Sequence, residues 1–194
     1  MRDFVLDNGF LESCIDLPEK IRERIVSKLQ AFAKGPRDRD LGVARVEGSK
    51  STLSLPVDEV YCIFLRREKP VTTLLFVDRN DSAATHALSK RGISPDYMII
   101  ASVEALETLL VEEKYLLLAK HLLRVPAATR ELQFQVAEIE KILNAHLPPE
   151  ARRFPNWWAN QKSGKRAHAF AWIAAGWLVA RIDIKSDLVK FVRR

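Results

Sequence analysis

The sequence predicts an α+β chain built in two parts, and three observations carry that prediction. Apolar residues recur at helical spacing between positions 16 and 34. Between 53 and 77 they alternate with polar residues, in runs rich in β-branched and aromatic side chains. From 115 onward helical and extended patterns resume, and the chain closes on a hairpin pattern.

In the first part, Asp16-Leu17-Pro18-Glu19 has the form of a capping box, with Glu19 placed to reach back to the cap amide. Ile21, Ile25, Leu29 and Phe32 then make one apolar helix face, and Gly35-Pro36 stops it. Leu53, Leu55 and Val57 alternate as a strand, and Asp58-Glu59 is a short turn. Val60 to Leu65 and Val71 to Val77 are further strands, joined by Arg66 to Pro70, which predicts an antiparallel meander. Asp81 is placed to cap a helix running to about Lys90, ended by Gly92. Residues 94–114 are expected to link the two parts in a packed manner, with a short helix from Val103 to Leu110.

In the second part, Tyr115 to Leu123 is a strongly apolar helix ended near Pro126, and Leu132 and Phe134 sit in a short extended segment. Val136, Ile139, Ile142 and Leu143 face one side of the next helix, which Pro148-Pro149 breaks. Arg166 to Ala175 is helical, with Ala169, Trp172 and Ile173 on one side, and Gly176 stops it. Trp177 to Asp183 and Leu188 to Val192 form a hairpin around Lys185-Ser186. Helix, short strand, helix, helix, hairpin is the element order of a winged helix-turn-helix. The expected division is therefore a domain over 1–93, a linker over 94–114 and a basic winged-helix-like domain over 115–194.

Composition excludes several classes. Hydrophobic content of 47% and charged content of 29% are ordinary for a soluble globular protein. No apolar run is long enough to span a bilayer, and the first residues lack the apolar core of a signal peptide, so a cytoplasmic protein without membrane contact is expected. Cys14 and Cys62 form no CxxC pair and read as buried reduced thiols. His86, His121, His146 and His168 lack companions at metal-ligand spacing, and no phosphate loop, dinucleotide turn or nucleophile elbow occurs, so neither metal nor cofactor is expected. Glu138 and Glu140 are two apart on a helix and point to different sides, so they make no catalytic pair.

The charge is polarised. Residues 151–194 hold ten Lys or Arg against Asp183 and Asp187, a net +8, whereas the whole chain is +6. All four tryptophans, Trp157, Trp158, Trp172 and Trp177, lie in the same tail. Basic groups neutralise phosphates and aromatic faces stack on bases, so this tail suits a polyanion, and the winged-helix-like element order makes DNA the expected one over RNA.

Two resemblances add to this reading. "LPEKIRERIVSKLQAF", "STLSLPVDEVYCIFL" and "TLLFVDRNDSAATHALSKR" resemble the RelE-type toxin fold over residues 3–92, including its form as an accessory domain beside UvrD-type helicases. In active toxins of that family, basic residues with a tyrosine or histidine on the sheet cleave RNA. Where the family reads Leu-Arg-Val and Tyr-Arg-Ile, this chain has Leu55-Pro56-Val57 and Tyr61-Cys62-Ile63. In place of the His-Asp and Ala-Tyr pairs of the helicase-associated form stand Asn80-Asp81 and Ala84-Thr85. The domain therefore reads as a non-catalytic scaffold; Arg66, Arg67, Lys69 and Arg79 are the alternative, a substitute basic set, although the first three read better as a solvated turn. "FQVAEIEKIL", "LPPEARRFPNWWAN" and "AHAFAWIAAGWLVARIDIKSDLVKFVRR" resemble a small winged-helix-like family of bacteria and phages. Where that family carries a His and a Gln, this chain has Arg166 and His168 after a two-residue extension. Together the resemblances imply a toxin–antitoxin, phage-defence or counter-defence setting.

The expected function is non-catalytic nucleic-acid binding. Arg152, Arg153, Lys162, Lys165 and Arg166 are the candidate phosphate contacts, and Trp157 or Trp158 the candidate stacking ring. Trp172 and Trp177 are expected in the core. Asn160 suits adenine, a phosphate or a helix cap equally. Lys185 at the hairpin tip, with Arg193 and Arg194, reaches toward a neighbouring groove, and His168 completes the set. Two alternatives remain: a metal-independent ribonuclease with a rearranged site, and an inhibitor module that binds a partner enzyme through its sheet.

Overall fold

Asp7 starts the first helix by accepting a hydrogen bond from the Gly9 N–H at 3.0 Å, and α1 (Asn8–Ile15) follows. Its Phe10, Leu11, Cys14 and Ile15 are buried against the sheet. Ser13 fastens it there: its Oγ accepts from the Val77 N–H at 2.8 Å and donates to the Phe10 carbonyl. The computed structural model describes residues 4–68, 71–80, 99–111, 113, 115–161 and 166–194. The helix expected after Asp81 lies outside the described residues.

The second helix, α2 (Glu19–Ala33), buries Ile25, Val26, Leu29 and Phe32 and leaves Ile21 half-buried, as its spacing predicts. Its start differs from the predicted capping box. Pro18 occupies the cap position and no side chain caps the helix. Asp16 instead ends α1 and pairs with Lys120 at 3.6 Å and Arg124 at 3.2 Å. Two distant cations compete better for this carboxylate than a single backbone amide.

The strands β1 (Phe4–Leu6), β2 (Ala44–Arg45), β3 (Thr52–Pro56), β4 (Tyr61–Glu68), β5 (Val71–Arg79) and β6 (Ile99–Ala101) form one sheet in the order β2-β3-β4-β5-β1-β6. The predicted meander is present: β3, β4 and β5 pair antiparallel. The sheet as a whole is mixed and not purely antiparallel, because β1 runs parallel to β5. Two helices separate β1 from the meander, and such a connection permits parallel pairing that a tight hairpin forbids.

Part of the predicted linker belongs to this layer. Its β6 pairs with β1, and α3 (Val103–Leu110), capped by Ser102, buries Val103, Ala105, Leu106, Leu109 and Leu110 against α2. Arg22, itself buried, crosses between the helices to donate to the Leu110 carbonyl at 2.7 Å and to pair with Glu113.

The second part runs α4 (Leu116–Leu123), β7 (Glu131–Gln135), α5 (Val136–Leu143), α6 (Pro149–Arg153), a 3₁₀ turn (Pro155–Trp158), α7 (Ala167–Ala174), β8 (Trp177–Asp183) and β9 (Leu188–Arg193). Its sheet has the order β7-β9-β8, all antiparallel. Gly176 ends α7 at φ +81°, a left-handed turn that only glycine adopts without strain. Pro149 begins α6 as well as ending the preceding run, since a proline suits the first helical turn.

One apolar core joins the two parts. It runs from Phe4, Leu29 and Leu65, through Leu106 and Leu109 of α3, to Trp172, Trp177 and Phe191. A smaller cluster, Val46, Cys62, Phe64, Leu75 and Phe76, lies apart from it. There the Phe64 and Phe76 rings stack at 4.8 Å. The fold is α+β, and both cysteines are free and buried.

Candidate nucleic-acid interface

Adjacent side chains diverge in any turn, and the tryptophan pair divides accordingly. Trp158 is 1% exposed and its indole N–H donates to the Ala151 carbonyl at 2.8 Å. Trp157 is half-buried and lies flat on His168, with ring centroids 3.9 Å apart and planes 7° apart. A nitrogen of His168, Nε2, lies 2.9 Å from the Trp157 carbonyl, and Tyr115 meets the His168 ring edge-on. One face of Trp157 is thus occupied within the fold. Trp172 and Trp177 are buried, as expected; the Trp177 N–H donates to the Leu122 carbonyl at 3.1 Å.

Asn160 serves the sheet. Its Nδ2 donates to the Val179 carbonyl at 2.8 Å. Its Oδ1 accepts from the Val179 N–H at 2.9 Å and from the Trp172 indole at 3.1 Å. The amide imitates the next strand along the open edge of β8, so its acceptor capacity is spent before any ligand arrives.

The basic residues sort into two groups. Arg152 pairs with Glu140 at 3.0 Å and with Asp187, tying α5, α6 and the β8–β9 turn together. Burial raises the Glu140 pKa, but the Leu147 N–H, the Arg152 charge and bonds from His146 and Arg152 outweigh it and hold the carboxyl below its ordinary range. Lys190 pairs with Glu131 at 2.7 Å. Arg193 donates to the Thr129 and Val125 carbonyls, each at 2.9 Å, and covers the Trp177 ring. These three are structural. Arg153, Arg181 and Lys185 are exposed and have no ion pair among the described residues. Arg166 is half-buried and donates to the Asn156 carbonyl at 2.7 Å. Lys162 and Lys165 lie outside the described residues.

The turn that carries Lys185 is rigid. Hydrogen bonds from the Ser186 hydroxyl and the Lys185 N–H hold the Asp183 carboxyl below its ordinary range. The Asp187 carbonyl also accepts the Val136 N–H at 2.8 Å. Because Asp187 grips Arg152, this turn lies beside the helix that presents Arg153.

In contrast, α7 offers no accessible face from Ala169 onward. Ala169 to Ala175 are all buried, packed on α3 and α4. The basic residues flank this helix without giving it an accessible face. A residue that sequence reasoning left aside, Phe154, is instead 56% exposed. It lies between α6 and the 3₁₀ turn, next to Arg153.

In the first sheet, the substitute basic set is dispersed. Arg67 pairs with Asp38 at 2.8 Å and lies over Phe32; Arg66 is 4.0 Å from Glu68. Arg79 is exposed at the far end of β5, and Lys69 lies outside the described residues. Among the described residues no group of three or more His, Cys, Asp or Glu could hold a metal, and no helix is long and apolar enough to cross a membrane.

Residues 115–194 match a domain of unknown function (DUF7662). No curated protein and no solved structure matches the chain. The matched segment begins at Tyr115, held at φ +72° just before α4, and contains the candidate contacts from Arg152 to Lys185 but not the basic set of the first sheet.

Proposed function

We propose that this protein binds nucleic acid without cleaving it, DNA in preference to RNA, through a winged-helix-like DUF7662 segment carried on a RelE-like scaffold. The observation that carries the reading is the strand order β7-β9-β8 together with α4, α5 and α7, beside Arg153, Arg181 and Lys185, which are exposed and make no salt bridge among the described residues. Helix, strand, two helices and a hairpin in that sheet order is how a winged helix-turn-helix is built, and here the short α6 and a 3₁₀ turn stand between the two helices α5 and α7. Lys185 then sits at the tip of the wing. The scaffold reading is supported by two helices packed on a β3-β4-β5 meander, and by apolar residues where a nuclease needs charge. Cys62, which stands where the resembled family reads arginine, is buried in a cluster with Phe64 and Phe76.

The contact mode differs from that of the usual winged helix. Because α7 is enclosed, phosphate contacts fall to the wing and to the end of α6. The test is binding of labelled duplex DNA and single-stranded RNA across a salt series, beside an Arg153→Ala, Arg181→Ala, Lys185→Ala variant. Each lost phosphate contact lowers the slope of log K against log salt by about 0.7–0.9, so the triple variant loses about 2–3 units. An unchanged slope rejects this surface. Absence of binding at low salt rejects nucleic-acid recognition, and cleavage of the probe returns the ribonuclease reading.

A further inference from the structure

We propose that Phe154 is a stacking platform for an unpaired base, so that the ligand is single-stranded nucleic acid gripped by the turn between α6 and the 3₁₀ segment. This rests on the nucleic-acid reading above and narrows it. Phe154 is 56% exposed and is the one aromatic side chain among the exposed large hydrophobics of the described residues. A ring so placed contributes little to the core, and an aromatic face in water is available to a base.

The turn that displays it is fixed. Phe154 donates its N–H to the Glu150 carbonyl at 2.9 Å, and its own carbonyl accepts the Trp157 N–H at 2.9 Å. Pro155 follows, and the buried Trp158 anchors the turn to the carbonyl of Ala151. The backbone under the ring therefore loses little freedom on binding, which keeps the entropic cost low.

The surroundings suit a phosphate chain. Exposed Arg153 precedes the ring, and the Arg166 guanidinium joins the same turn through the Asn156 carbonyl. Neither has a carboxylate partner among the described residues. An acidic peptide would satisfy the charges, but a flat exposed ring on a turn that also carries Arg153 and binds Arg166 matches alternating phosphate and base better. A duplex keeps its bases stacked on one another, so a single projecting phenyl ring gains most from bases that are already unstacked. The enclosure of α7 removes the element that would otherwise read a duplex.

The experiment measures binding at low salt to oligo-dT, oligo-rU and a duplex of the same length. It compares wild type with Phe154→Ala, Phe154→Leu and Phe154→Trp. A strand carrying a fluorescent base analogue reports stacking directly. One stacked base corresponds to roughly tenfold in affinity. Phe154→Ala and Phe154→Leu should lose about that factor on a single strand of either sugar, with weaker quenching of the analogue, while Phe154→Trp retains binding. Affinity of Phe154→Ala equal to wild type overturns the proposal, as does equal binding by the Leu and Trp variants or wild-type binding confined to the duplex. If wild type binds none of the three probes, the nucleic-acid reading falls as well, which separates the two failures.

Discussion

Replacing Asn160 with alanine separates a ligand contact from a structural clamp. Three neutral hydrogen bonds disappear: two to the Val179 backbone and one from the Trp172 indole. Their costs are unequal. Val179 lies on the open edge of β8, so water replaces the amide there and each bond costs a fraction of the usual net value of about 1 kcal/mol. Trp172 is 0% exposed. Its N–H is left without a partner, and an orphaned buried donor costs about 1–3 kcal/mol. The sum is about 3 kcal/mol, which for a chain of this size lowers the melting temperature by about 6–12 °C. Asn160→Asp keeps both acceptor roles but sets an oxygen against the Val179 carbonyl, so it falls between wild type and Asn160→Ala. The assay is thermal unfolding followed by tryptophan fluorescence, with nucleic-acid binding measured at a temperature where both variants remain folded. A variant that melts with wild type yet has lost binding refutes the clamp and restores Asn160 as a ligand contact.

Two further outcomes follow from titratable groups held inside the fold's contacts. Glu140 is held below its ordinary pKa of 4.5, so its stabilisation is present above that value and is lost as pH falls through the lower folded value. Glu140→Gln should therefore lower the urea midpoint at neutral pH and flatten the fall in stability below about pH 5; a parallel fall in both proteins contradicts the ion-pair assignment. Cys14 and Cys62 are buried, and burial pushes both thiols up. Iodoacetamide at about pH 8 should alkylate neither in the folded protein and both in denaturant; rapid labelling of Cys62 would mean that the Phe64–Phe76 face opens to solvent.

Local patterns were legible where the element's stability is local. Helical spacing placed α2, α3, α5 and α7, and alternation placed β3, β4, β5 and the terminal hairpin, close to their observed bounds. The elements that escaped depend on distant partners. β1 and β6 have three residues each, and they exist because Phe4–Leu6 fits between β5 and β6. α1 opens on Asn8-Gly9, a pair that reads as a turn, and it is held by the Asp7 cap and by Ser13 on β5. Asp16 had the right neighbours for a capping box, but Lys120 and Arg124, invisible at that range of sequence, decide its role.

The site shows the same division between counting and geometry. A net charge reveals that basic residues are abundant, and only partners reveal which are free: Arg152, Lys190 and Arg193 are engaged inside the fold, whereas Arg153, Arg181 and Lys185 are exposed. Yet one decisive signal did lie in the sequence. A helix that reads a groove needs a polar outer face, and a helix apolar on all sides is buried. From Ala169 to Ala175 every residue is alanine, phenylalanine, tryptophan or isoleucine, and His168 alone offers a polar group at the start of that run. Such a helix can be a keystone between two layers but cannot face water or a base edge. A polyanion bound as proposed would therefore meet the end of α6 and the β8–β9 turn, where Arg153, Phe154 and Lys185 are exposed, and not α7.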